Sequence, residues 1–585
     1  MLTYLLAGAI VFFVICFFTY GKFMAGVYEL SEKNKTPAEA MYDGVDYCPA
    51  HPAVLLGHHF SSIAGAGPVT GPIAAASVFG WLPTYLWCVI GSAFLGGPHD
   101  MGALVASMRH EGKSMGEVVD RWIGRRGKIL FLLFTIITIV LVVAVFLQLS
   151  ANSCAADPAV AFSSSLYVLL AVVFGFLVYR MNFPLWLMTI IMVPLIVYAC
   201  WLGKTNPSVS NLFSFSGNPA LEYHQGVTKD NFEEKKTFDD TIKDFETYDQ
   251  YAAAKKDLFN KNMSVWRWIL VAYICFASVL PVWLLLQPRD YLASYFLYFA
   301  VIVGCLGMFL GADKLEVKLP MFTSFAPTTG QYLWPMLFIT VACGALSGFH
   351  SLVGSGTTSK QIRTEKDARL IGYGAMLIEG VVAVIATATI MISGKMIGDP
   401  METYATGFGR FAGLIGIEPS IGKSLGLLAL NTFLITSLDT ATRLGRYLIQ
   451  ELFNMAVDRY TATGVVVVCA VGMLMMKTHN PAGAEIPVWS ALWPMFGSAN
   501  QLVGGLVLLS LAVWVARALK KDNKWLLYPM WFMLITTIAA LCLMIYDQLF
   551  VAKLPNYLLG GLAIALTILA LLMLQQALAA LRKKA

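Results

Sequence analysis

Apolar runs of about 20 residues recur along nearly the whole of this 585-residue sequence, each long enough to cross a hydrocarbon layer of roughly 30 Å as a helix. In lipid the backbone N–H and C=O groups find no water, so only internally hydrogen-bonded structures survive there, and runs of this kind are helices. Composition agrees: 13% of residues are charged, against about 25% in soluble domains, which is too little polar surface to cover a water-soluble fold of this length. About fifteen spans meet the length requirement: 2–20, 58–80, 82–106, 128–150, 162–180, 184–203, 265–287, 291–311, 333–357, 370–393, 423–443, 461–476, 489–516, 525–547 and 556–581. The fold expected is an all-α polytopic membrane protein. The first run, Leu2 to Tyr20, has no basic residue before it and reads as a retained span rather than a cleaved leader.

Orientation follows from basic residues in short loops, which favour the cytoplasmic side. Arg109, Lys113, Arg121, Arg125 and Arg126 share one side with Lys360, Arg363, Lys366 and Arg369, and with Arg517, Lys520, Lys521 and Lys524. The opposite short loops hold few, among them Lys314, Lys395 and Lys553. The N-terminus is therefore expected outside and the C-terminus in the cytoplasm. The net charge of +6 is accounted for by these loops and implies no nucleic-acid partner. Ten cysteines are scattered singly, which suits small buried hydrophobes rather than a disulfide framework.

The order of runs divides the chain. Residues 1–57 carry an extra helix and a cytoplasmic loop, 58–203 a first set of five spans, 204–264 an acidic external insert, 265–443 a second set of five, and 444–585 peripheral C-terminal helices. An odd number of spans per set inverts one set relative to the other in the membrane, an arrangement that places solute and ion sites at the midplane beside interrupted helices.

Two interruptions stand out. In HHFSSIAGAGPVTGPIAAA, His58 to Ala76, Gly65, Gly67, Pro68, Gly71 and Pro72 crowd the middle of a span; prolines remove amide donors and glycines permit non-helical backbone. Ala64, Gly65 and Gly67 could then offer backbone groups to an ion or a carboxylate, with His59 and Ser61 beside them. In ACGALSGFHSLVGSGTTSKQ, Ala342 to Gln361, Ser347, His350 and Ser351 fall at i, i+3 and i+4, so one helical face would carry two hydroxyls and an imidazole. Hydroxyls near unwound carbonyls suit a hard cation and the imidazole suits a proton, so the coupling ion reads as H+ or Na+. Three weaker signals are LPVWLLLQPRDYL, with Arg289 and Asp290 as an interfacial pair; LNTFLITSLDTATRLGR, where Asp439 and Arg443 stand four apart and could neutralise each other as a gate; and WPMFGSANQLVGG, where Asn500 and Gln501 suit interhelical hydrogen bonds. Cys48, His51, His58 and His59 are poorly spaced for a metal, and nucleotide-binding and hydrolase motifs are missing, so no cofactor, metal site or enzyme activity is expected.

These segments, together with SMRHEGKSMGE (Ser107 to Glu117), resemble the carbon starvation protein A family and occur in family order over most of the chain. GGPHDMGAL, Gly96 to Leu104, departs from the family pattern in the Pro98 and His99 that precede Asp100. The resemblance implies an inner-membrane secondary transporter with a leucine-transporter-type core of two inverted five-helix repeats. It would import short peptides or pyruvate by ion-coupled alternating access, with His59, Ser61, Gly65 and Gly67 at the substrate, Ala64, Ser347, His350 and Ser351 at the ion, and Asp439 and Arg443 gating. A channel or a membrane nutrient sensor is the alternative reading. Oligomeric state is left open by the sequence.

Overall fold

The computed structural model describes residues 1–585 apart from 44–46, 225–226, 230, 237–238, 282, 312–313, 328–331, 477, 480–482, 484, 487 and 583–585. Parts of the 204–264 insert, and Val282 of the LPVWLLLQPRDYL motif, thus fall outside the described residues. Among those described, twelve helices are long and apolar enough to cross a bilayer, and the bent pair Pro52–Ile63 and Gly67–Phe79 makes a thirteenth. The other two of the fifteen sequence runs are also helical. Residues 81–109 form one unbroken run of helical segments, and Arg459–Leu474 has 16 residues, short of the ~20 that a perpendicular crossing needs.

Burial separates a centre from a rim. Pro419–Leu452 and Arg369–Ser393 have 89% of their apolar windows buried and Leu333–Lys360 has 83%, whereas Leu185–Thr205 and Tyr557–Leu581 have 33%. Rim helices leave side chains such as Trp186, Ile190 and Ile568 uncovered, as expected where lipid is the solvent. Ser490–Leu519, which the sequence division groups with the peripheral C-terminal helices, has 78% of its window buried and packs on Arg125–Ala156 and Gly348–Gly356. The polar insert is less separate than its composition suggests. Tyr248–Val279 begins inside it and runs on for 32 residues, while Leu221, Phe232, Ile242 and Tyr251 form a small core of their own.

Both interruptions occur where the residues demand them. A proline ring collides with the carbonyl four residues earlier, and for Pro68 that residue is Ala64, which sits at φ −75°, ψ 68° and ends Pro52–Ile63. Pro68 then occupies the first turn of Gly67–Phe79, where its missing N–H costs nothing. The two halves meet at a 45° bend. In the second interruption, Phe338–Val341 gives way to a short 3₁₀ turn, Ala342 adopts φ 45°, and Ser347 is extended before Gly348–Gly356 begins.

The two interrupted segments cross at their breaks. A Cβ added at Gly67 would lie 2.5 Å from Cys343 Sγ, and one at Gly71 would strike the carbonyl oxygens of Val341 and Thr340. Backbone approach requires glycine at position 71, and at position 67 the Cys343 side chain fills the space a Cβ would take.

Candidate functional site

Around this crossing the protein buries two charged clusters. The first joins Gly97–Arg109, Gly348–Gly356 and Ala375–Ser393. His350 Nδ1 lies 2.8 Å from Asp100 Oδ2 and its Nε2 lies 3.4 Å from Glu379 Oε2, while Asp100 Oδ1 is 2.7 Å from His99 Nδ1. All four side chains are buried. An imidazole held between two carboxylates in a dry interior can keep or release a proton without leaving its place.

The second cluster is built on Leu286–Leu310 and Pro419–Leu452. Arg289, fully buried, donates to Asp290 at 2.5 Å, to Asp439, and to the Thr436 carbonyl at 3.3 Å. Tyr273 donates to Asp439 at 2.7 Å and Ser62 to Asp290 at 3.0 Å, with His58 Nδ1 3.1 Å from Asp290. Arg289 and Asp290 were read from sequence as an interfacial pair; the structure buries both completely. A guanidinium is affordable there because its carboxylate and carbonyl partners replace the lost hydration.

The first interruption belongs to the second cluster through His58 and Ser62 and turns His59 to the other side. His58 and His59 are adjacent and so point about 100° apart on a helix: His58 meets Asp290, and His59 Nδ1 meets Thr358 Oγ1 at 2.8 Å. Ser61 donates to the carbonyls of His58 and Asp290. Ala64 caps the half-helix and Gly65 faces Ser437, whose Oγ would be 2.9 Å from an added Cβ.

At the second interruption the three residues read as one face have different surroundings, because Ser347 is extended and precedes the helix. Ser347 accepts from Asn500 Nδ2 at 2.9 Å, and Asn500 Oδ1 accepts from the Phe349 N–H at 2.9 Å. Gln501 donates to the Phe338 carbonyl at 2.6 Å, so the amides of Ser490–Leu519 hold the interrupted backbone, in keeping with the hydrogen-bonding role read for them. Ser351 donates to the Gly348 carbonyl at 2.6 Å, and His350 alone of the three faces the carboxylates. Asp439 and Arg443, read as a mutual pair, also part company: Asp439 takes Arg289 and Tyr273, and Arg443 donates to the carbonyls of Ala277 and Leu280 at 2.8 and 2.7 Å. Four-residue spacing brings side chains near each other, but helix ends and buried cations on neighbouring elements compete for them.

A cavity of about 450 Å³ opens beside Lys113, Lys128 and Lys360 and reaches Leu352 and Ser355 on the second half-helix. Lys128 there is bound by Glu117, by Asp120 at 3.6 Å and by Glu451 at 3.5 Å.

The sequence profile described as Carbon starvation protein CstA matches residues 1–223, 246–398 and 394–540. The chain belongs to that family. Among its family relatives, the Peptide transporter CstA of Campylobacter jejuni is 27% identical over 605 residues, covering 92% of this chain and 79% of its own. The Bacillus subtilis Peptide transporter CstA is 30% identical over 85% of this chain and 82% of its own. The Pyruvate/proton symporter BtsT of Escherichia coli is 27% identical over 93% and 82%. Among solved structures, MhsT in complex with L-phenylalanine aligns over 90% of this chain and 99% of its own, at TM-score 0.46 and 13% identity. A manganese transporter from Eremococcus coleocola aligns at TM-score 0.44 and 12% identity, over 92% and 98%. The CstA relatives are named as transporters, and none of the three names describes an enzyme.

Glu379, Tyr273 and Thr358 were missed by sequence reasoning. Glu379 had a usable signal, being the only charged residue between 370 and 393, and a lone ionisable group in a span is a functional candidate by default. Tyr273 and Thr358 gave none, since single hydroxyls are common in membrane helices.

Proposed function

We propose that the chain is a proton-coupled carrier that moves a small carboxylate-bearing solute, a short peptide or pyruvate, across the cell's inner membrane by alternating access. The observation that carries this reading is the buried His350–Asp100–Glu379 cluster beside the crossing of two interrupted segments. His350 is the proton carrier, flanked by Asp100 and Glu379, and substrate lies at the first break near His59, Ser61, Ala64, Gly65 and Gly67. Ser347 and Ser351 support the second break. The relatives' names supply the substrate classes and favour H+ over Na+.

The element order supports an inverted repeat with a later second start than the polar insert suggests. An interrupted segment, a second helix and a long buried helix follow one another at 52–79, 81–109 and 125–156, and again at 333–360, 369–393 and 419–452. Counting 81–109 as a span, seven spans precede the second interruption from the first onward, and an odd number reverses its direction. On this reading the lysine-lined cavity opens to the cytoplasm, the side that basic loops favour, and counting Arg459–Leu474 as a short crossing too makes the number of spans odd, so the chain ends take the opposite sides read from sequence.

The test is uptake into liposomes holding the purified protein, with labelled pyruvate and labelled dialanine, under an imposed proton gradient and, separately, a sodium gradient. Proton-driven accumulation of either solute supports the reading, and its loss in H350Q supports the carrier assignment. Sodium-driven uptake alone, or binding without uptake, refutes it.

A further inference from the structure

The Arg289 cluster holds one guanidinium and two carboxylates, and the carboxylates differ. Asp290 is saturated: Oδ1 takes Arg289 Nε and Nη2, and Oδ2 takes Ser62 with His58 beside it. Asp439 is not. Its Oδ2 takes Arg289 and Tyr273, but its Oδ1, though buried, has no hydrogen-bond partner among the described residues. The same holds for two hydroxyls within two residues of it, Ser437 Oγ and Thr440 Oγ1, both buried. A buried polar atom without a partner is expensive; Ser437 and Thr440, three apart, share one helix face, with Ser437 facing Gly65 at the first break and Thr440 next to Asp439, and two free hydroxyls there mark a place that receives a polar group.

We propose that Arg289 is the anchor for the substrate carboxylate, which displaces Asp439 from the guanidinium as Asp439 takes up one proton. This rests on the transport reading above and names the group within that site that recognises substrate. The exchange follows from charge. Before it, Arg289, Asp290 and Asp439 sum to one negative charge. A further carboxylate entering without a proton would leave two, in an interior where an uncompensated ion is strongly unfavourable. With Asp439 protonated the sum stays at one, the Arg289–Asp439 ion pair is replaced by Arg289 with the substrate carboxylate, and the proton comes from the aqueous side that delivers the substrate. Ser437 and Thr440 then have an oxygen to donate to. The other titratable groups facing this place are His58 from the first half-helix, Tyr273 from Tyr248–Val279 and Tyr167, which donates to the Arg289 carbonyl; Arg443 lies one turn along from Asp439 and bonds to Ala277 and Leu280. Because the anchor reads only a carboxylate, it serves pyruvate and the peptide C-terminus alike.

The experiment is equilibrium binding of labelled pyruvate and labelled dialanine to the purified full-length protein, with proton uptake on binding measured in buffers of different ionisation enthalpy. Wild type binds the preferred solute with a proton taken up, and affinity rises about tenfold per unit fall in pH where that proton is being taken on. In D439N, which keeps the Tyr273 bond and leaves Arg289 on Asp290, binding persists, and uptake falls by about one proton per carboxylate bound. In R289K affinity falls about 10- to 100-fold, as for loss of charge-assisted hydrogen bonds, and dialanine amide binds neither wild type nor variant. Unchanged proton uptake in D439N, or wild-type affinity in R289K, overturns the anchor while leaving the carrier reading standing if wild type still accumulates solute. No carboxylate binding by wild type overturns both.

Discussion

Replacing Gly67 by alanine tests whether the two interrupted segments cross where the structure places them. The new Cβ would lie 2.5 Å from Cys343 Sγ and 2.7 Å from Cys343 Cβ, but 3.7 Å from the Cys343 backbone nitrogen. The backbone is at ordinary contact distance, so the whole conflict is with one side chain that must retreat by about 1 Å, and overpacking of this kind costs about 1–3 kcal/mol. C343G removes both offending atoms. In G67A/C343G the melting midpoint should therefore recover toward that of C343G alone, a coupling of about 1 kcal/mol or more between the two positions. Gly71 is the control, because an alanine there meets the Val341 and Thr340 carbonyl oxygens and the Val341 carbonyl carbon, and no side-chain change can relieve a backbone clash. Thermal unfolding of the purified protein in detergent reads stability, and liposome uptake reads function. Wild-type stability in G67A, additive effects of G67A and C343G, or rescue of G71A by C343G would each refute the crossing.

Three further outcomes follow. N500A leaves the Phe349 N–H and the Ser347 hydroxyl without the amide that holds them, so it should cost about 2 kcal/mol and slow uptake, checked by melting and initial rates. D100N takes a charged partner from His350 and His99; breaking a buried pair costs about 3–5 kcal/mol, and proton-driven accumulation should fall more than solute exchange in the absence of a gradient. In the 204–264 insert, the Thr241 backbone N–H and, after it, His224 hold the half-buried Asp239 carboxyl below its usual range. A depressed carboxylate stabilises above its unfolded value and ceases to as pH falls through its folded one, so hydrogen exchange near His224 and Tyr251 should quicken below about pH 4; protection unchanged at pH 3 would contradict this.

Much of the fold was legible because lipid imposes a length and a polarity that few sequences meet by accident. Pro68 and the glycines around it announced the first break, since a ring that collides with the Ala64 carbonyl allows no continuous helix. Site partners were harder to read. Ser347, His350 and Ser351 share a face only if the helix is unbroken through all three, and the break falls at the first of them. Asp439 and Arg443 satisfy a local rule, yet Asp439 binds Arg289 from 150 residues away; local spacing cannot reveal a buried cation on another element. Glu379 was visible as a lone charge in an apolar span, and its meeting with His350 was not.

The adjacent histidines give the arrangement its logic. Consecutive helical residues diverge by about 100°, so Pro52–Ile63 presents His58 to the Asp290–Arg289 cluster and His59 toward the other, with Thr358 as its direct partner and Asp100 and His350 in electrostatic reach. The half-helix that ends at Ala64 is thus held through Asp290 on one side and through Thr358 on the other. Two neighbouring side chains of one rigid element therefore reach partners on different helices, and a displacement at either contact bears on the other through that element.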